Sequence, residues 1–262
     1  MENTKNPLGS EPISKLMLKF SVPSIIAMIV GALYNIVDQL FIGQAVGTLG
    51  NAATNIAFPL STSCIALSLL FGIGGASCFN LSMGRGEKEK SPFFIANAAI
   101  MLFSSGVVLF IITQLFLTQL LKACGSPTDV LPYAQTYVRI TSFGFPFLIL
   151  SVGGGHLIRA DGSPKVAMIC NILGAVINVI LDAVFIFGFN MGMAGAAYAT
   201  IIGQITSAIV VIMYMKNFKT VPLLKKHFKL NLHYIKEITS IGMASGINLS
   251  LIHISEPTRP EP

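Results

Sequence analysis

Asp182 stands in NILGAVINVILDAVFIFGF, Asn171 to Phe189, an apolar run with a lone carboxylate and, one helical turn earlier, the amide of Asn178. Residues four apart share a helix face. A carboxylate within a membrane-length apolar segment is costly, so it faces a bundle interior or a water-filled cavity, unless it lies at a boundary and snorkels to water. A second carboxylate, Asp38, lies near the far end of another apolar run with Tyr34 and Asn35 a turn before it, and Thr200 lies in a third such run. If these helices converge, two carboxylates, an amide oxygen and a hydroxyl could surround one small cation, because oxygen donors suit hard ions. The same carboxylates could carry a proton instead. The plainer alternative is that Asn178 and Thr200 only hydrogen-bond neighbouring helices, and spacing leaves both open.

Helices that cross a bilayer must position these groups. The chain of 262 residues is 53% hydrophobic and 11% charged, with mean hydropathy +0.74, whereas soluble domains carry about 25% charged residues. Runs of roughly 20 apolar residues are the length of a spanning helix, so the class is an all-α polytopic membrane protein rather than a barrel. The expected spans are Leu16 to Ile42, Ala53 to Met83, Phe93 to Leu117, Tyr133 to Ile158, Asn171 to Phe189 and Ala194 to Met215, with a seventh starting near Ile238. GQAVGTLGN is expected as a polar loop between the first two. Pro23, inside the first span, removes one backbone hydrogen bond and permits a bend. Residues 1–15 are polar and lack the short apolar core of a signal peptide, so the first span is retained. Cys64, Cys78, Cys124 and Cys170 are dispersed, without metal-ligand spacing, and are expected as thiols.

The net charge of +6 would suggest nucleic acid in a soluble chain, but sorting Lys and Arg by loop accounts for it and excludes that partner. Lys5, Lys15, Lys19, Arg85, Lys88, Lys90, Arg159, Lys165 and the run from Lys216 to Lys236 fall on one side of alternating spans; the other has Lys122, with Arg139 just inside the outer helix end. By the positive-inside rule the N-terminus is cytoplasmic, in the cell membrane. Asp38 and Asp182 then sit at similar depth in the outer half. Residues 216–236 read as a basic linker lying on the membrane surface between two halves.

Enzymatic motifs are missing. GIGGAS, Gly72 to Ser77, has glycines of a phosphate loop without its lysine; no H-E-x-x-H, G-x-S-x-G or intramembrane catalytic dyad occurs, so no enzyme and no cofactor is expected. His156, beside Gly153, Gly154 and Gly155, is a helix-end histidine or a proton relay. From Leu249 the chain reads LSLIHISEPTRPEP, a charged, proline-rich stretch implausible inside a bilayer. It resembles a translated sequencing-library adapter, so residues 249–262 are expected to be non-native and 237–248 to begin a truncated second lobe.

YNIVDQLFIGQAVGTLGNAATNIAFP (Tyr34 to Pro59), RADGSPK (Arg159 to Lys165) and Asn178-x-x-x-Asp182-x-x-Phe185-x-Phe187-Gly188 resemble the multidrug and toxic compound extrusion (MATE) family, with the Asp182 pattern most like its DinF-like branch. The resemblance covers about Lys15 to Gly246. It implies a two-lobe carrier of which residues 16–215 form the six-helix N-terminal lobe, and an antiporter exporting drugs or toxic organic cations against Na⁺ or H⁺. It assigns Asp38, Asn178, Asp182 and Thr200 to the cation site, as metal ligands if the ion is Na⁺. Pro23 becomes the bend of the first helix, and Tyr34, Asn35 and Asn171 cleft-lining candidates. The implied partners are the bilayer, small cationic substrates and the missing C-terminal lobe. Phe20-Ser-Val-Pro-Ser24 recurs loosely as Ile241-Gly-Met-Ala-Ser245, with Ala244 departing from the proline. The rivals are a lipid-linked oligosaccharide flippase of the same superfamily, which would line its cleft with bases where only Arg139 is present, and a non-transporting scaffold.

Overall fold

A computed structural model describes residues 12–254, with side chains described to Met243 except that of Leu16. The polar segment up to Glu11 and the tail from Ser255 lie outside the described residues, as do the side chains of the Ala244–Ser245 end of the loose repeat.

All described regular structure is helical, and six helices are long and apolar enough to cross a membrane. These are α1 (Ile13–Val46), α2 (Thr48–Gly84), α3 (Ser91–Leu115), the pair α5 (Leu131–Thr141) and α6 (Phe145–Ala160), α7 (Pro164–Asp182) and α8 (Gly192–Lys216). A short α4 (Leu117–Ala123) precedes α5, a 3-10 turn (Ser142–Gly144) joins α5 to α6, and a π-helical turn (Ala183–Gly188) extends α7. α9 (Leu232–Ile254) follows, starting earlier than the seventh span read from hydropathy because its first turns are amphipathic rather than apolar.

The loop expected from GQAVGTLGN is instead a one-residue corner. α1 runs to Val46 and α2 starts at Thr48, with Gly47 at φ 80° and ψ −162°. Glycine alone enters that region without a side-chain penalty, so the polar residues around it stay helical. α1 spans 34 residues, about 51 Å at the helical rise, and Pro23 is buried within it without ending it. Its outer face is apolar and exposed, from Ile13 through Met28, Leu33 and Ile36 to Leu40; in water such a face would be unstable, and it suits lipid or another apolar partner.

α7 and α8 approach closely because both offer glycine at the crossing. A Cβ on Gly203 would lie 2.7 Å from the Gly174 carbonyl oxygen and 3.0 Å from Asn178 Cβ. Ser207 Oγ, one turn on, donates to the Cys170 carbonyl at 2.9 Å across the same seam. Small residues at such a crossing exchange side-chain bulk for backbone contact and interhelical hydrogen bonding.

The linker after α8 is a strap, part of which packs on the lobe while Leu224, Phe228 and Leu230 stay exposed. Its Phe218 and Val221 are buried, since the buried Asp161 carboxylate at the end of α6 pulls the chain inward. Asp161 Oδ2 accepts from Tyr214 Oη and Lys219 N–H, both at 2.7 Å, while Oδ1 accepts from Thr220 N–H at 2.8 Å and from the Thr220 hydroxyl. At the other end Asn97 Oδ1 accepts from Asn231 N–H at 3.0 Å, and Tyr234 stacks on Phe93 at 5.4 Å. Asp161→Ala would remove the charged acceptor of two part-buried backbone N–H groups, at about 1.5–3 kcal/mol. Amide exchange at Lys219 and Thr220 is expected to quicken about a hundredfold; unchanged protection would contradict this anchoring role.

His227, in the 3-10 turn of the strap, accepts at Nδ1 from Leu224 N–H at 3.1 Å and meets Phe93 edge-on. Burial, and secondarily the Lys226 charge, hold its imidazole below the usual histidine range. A base depressed in the folded state keeps its full contribution above its unfolded pKa of about 6.5 and loses it as pH falls below that toward the folded value. Corrected for intrinsic rates, exchange in the strap should therefore rise as pH drops below about 6.5. His227→Gln should flatten the response; an identical pH profile in that variant would count against it.

Candidate ion site

Three spans meet around the two carboxylates. Asp38 comes from α1, Asn178 and Asp182 from the same face of α7, and Thr200 from α8, all four buried. Asp182 is fully buried and ends α7 where the backbone passes into the π turn, a feature that recurs at functional sites because it re-aims side chains. Phe187 of that turn meets Phe41 of α1 edge to face at 5.4 Å, which holds the α1 end bearing Asp38 against the α7 end bearing Asp182.

The carboxyls of Asp38 and Asp182 lie within electrostatic reach of each other. With the Asn178 amide oriented by its surroundings, Nδ2 donates to Asp182 Oδ2 at 3.0 Å and Oδ1 accepts from Thr200 N–H at 3.0 Å; amide orientation is assigned from such partners. Thr200 Oγ1 gives its proton to the Ala196 carbonyl at 2.9 Å, so its lone pairs stay free to accept or to ligate. Asp38 Oδ1 and Asp182 Oδ1 are buried without a hydrogen-bond partner among the described residues. Two facing carboxylates repel unless a proton or cation stands between them, and these two bare oxygens are where either would bind. Oxygens of this kind, with the Thr200 hydroxyl beside them, fit a hard monovalent ion or a shared proton.

Tyr34 of α1 and Tyr137 of α5 complete the cluster, within electrostatic reach of Thr200 and of both aspartates. Tyr137 was not legible in the sequence, because α5 is an amphipathic stretch in which one more tyrosine gives no signal. Tyr34 also faces an apolar cleft of 240 Å³ between α1 and α7, walled by Val30, Leu33, Val37, Val176 and Val179. Asn35 and Asn171 are exposed and outside the cluster; Asn35 Nδ2 donates to the Gly31 carbonyl of its own helix at 2.8 Å. His156 is likewise apart, its Nδ1 3.5 Å from Arg159 Nη1. Arg139 is exposed, and its backbone carbonyl accepts from Gln114 Nε2 at 2.8 Å.

The chain is 29% identical over 233 residues to the multidrug export protein MepA of Staphylococcus aureus (strain NCTC 8325 / PS 47), covering 88% of this chain and 52% of that protein. It is 27% identical over 270 residues to the probable multidrug resistance protein YoeA of Bacillus subtilis (strain 168), covering 98% and 58%. Among solved structures, the MATE multidrug transporter DinF-BH superposes with a TM-score of 0.89 at 32% identity, covering 97% of this chain and 57% of that one. The chain thus spans about half the length of the relatives it matches. The MatE family model matches residues 23–184, from the buried proline of α1 through both aspartates, and the chain belongs to that family.

Proposed function

We propose that this chain is the N-terminal lobe of a cation-coupled exporter of small organic cations, driven by Na⁺ or H⁺ through the Asp38–Asp182 pair. The observation that carries the reading is the pair itself, two buried carboxylates from different helices, each with an oxygen that no described residue satisfies. Asn178 positions Asp182, Thr200 offers the further oxygen, and Tyr34 connects the ion site to the apolar cleft toward α7. An ion between the carboxylates joins α1 to α7; its loss restores their repulsion and favours separation. Such differential binding is what coupling requires, since a ligand equally bound in two states shifts neither.

The relatives' names speak of multidrug export and multidrug resistance, and their greater length supports a second lobe as the chain's obligatory partner across the cleft. The excess of Lys and Arg at the end that holds the strap supports an orientation in which that end, with the N-terminus, faces the cytoplasm from the cell membrane. The lobe alone is expected to give no gradient-driven dye efflux in cells, whereas the two-lobe protein gives it under an imposed Na⁺ or pH gradient. Efflux by the lobe alone would overturn the two-lobe requirement, and the gradient that drives the pair identifies the ion.

A further inference from the structure

A pocket of 620 Å³ opens at the basic end of the lobe between the end of α2, the start of α3 and the first turns of α9. Its rim carries Arg85, Lys90, Lys236 and His233 with Glu87 and Glu237, and its floor carries Leu81, Phe94 and Ile241. Glu87 pairs with Lys90 at 3.1 Å, and Glu237 lies 3.2 Å from His233 Nε2. Among the described residues Arg85 and Lys236 have no carboxylate partner, so the unmatched charge of the rim is positive. Leu81 and Ile241 remain 48% and 38% exposed, at the level where α2 leaves its apolar stretch. α9 is held in place beneath, with fully buried Ile238 against Gly74 of α2. The site thus joins a net positive rim of three Lys/Arg against two Glu to apolar surface, at the edge of the spanning region, the layout of a lipid headgroup site.

We propose that this pocket seats an anionic phospholipid from the adjoining leaflet, its phosphate between Arg85 and Lys236 and its upper acyl carbons against Leu81 and Ile241. A free phosphate would meet the same cations but would leave the apolar floor unused. Because Lys236 and Ile241 belong to α9 and Arg85 to the end of α2, the lipid would bridge the lobe to the helix that follows the strap.

The test is native mass spectrometry of the purified chain in detergent, with phosphatidylglycerol and phosphatidylcholine of identical acyl chains and with inorganic phosphate as competitor. Phosphatidylglycerol adducts should outlast phosphatidylcholine adducts. Arg85→Gln with Lys236→Gln should weaken them about thirtyfold, and either change alone about fivefold. Lys88→Gln, in the same loop but off the pocket, should leave them intact. Equal retention in the double variant, equal retention of phosphatidylcholine, or displacement of the lipid by millimolar inorganic phosphate would each overturn the proposal.

Discussion

Asp182→Asn is expected to abolish ion-driven efflux by the two-lobe transporter while leaving the lobe folded. The substituted amide can keep its oxygen toward Asn178 Nδ2, preserving the 3.0 Å bond, and turn its NH₂ toward the Asp38 carboxylate. It therefore imitates the state in which a proton lies between the pair and fixes the site there. A charged partner removed from a buried, charge-assisted contact is worth about 1.5–3 kcal/mol, so ion affinity should fall about a hundredfold. The apparent melting temperature should hold or rise, because carboxylate repulsion is gone. Dye efflux under an imposed gradient reads the first effect and thermal unfolding in detergent the second. Wild-type efflux in this variant would remove Asp182 from the coupling site. A collapse in stability would instead make the carboxylate a structural group.

Gly203→Ala is expected to damage the same site through the backbone. The added methyl would press on the Gly174 carbonyl and on Asn178 Cβ, forcing α7 and α8 apart where Asn178 bonds to both Asp182 and Thr200. Overpacking of this size costs about 1–3 kcal/mol, or roughly 5 °C in apparent melting temperature for a chain this long. Efflux should fall with it, since Asn178 would lose its hold on Asp182. Gly188→Ala, where an added Cβ meets nothing within 4 Å, should leave both readouts near wild type. A silent Gly203→Ala would show that the crossing can relax and does not set the site geometry.

Sequence carried the class and most of the spans because apolar length and charge exclusion are direct consequences of a bilayer solvent. It also pointed to Asp38 and Asp182, since a buried carboxylate is expensive wherever it occurs. Their meeting was less legible. Depth could be counted from loops, but which helices are neighbours depends on the Gly174–Gly203 crossing and the π turn after Asp182, and neither has a periodic signature. Gly47 misled for a related reason, because polar residues near a glycine resemble a loop unless its φ is known. The anchoring of the strap was not legible either, because a loop aspartate does not announce that it will accept from residues more than fifty positions on.

The central claim is that Asp38 and Asp182 act as one site. Its most direct measurement counts monovalent cations on the purified chain in detergent, with radioactive Na⁺ binding and proton release followed on the same sample across pH. The account predicts one Na⁺ or one exchangeable proton lost together by Asp38→Asn and by Asp182→Asn, each alone sufficient. Unchanged ion and proton counts in the Asp38→Asn, Asp182→Asn double variant would contradict it.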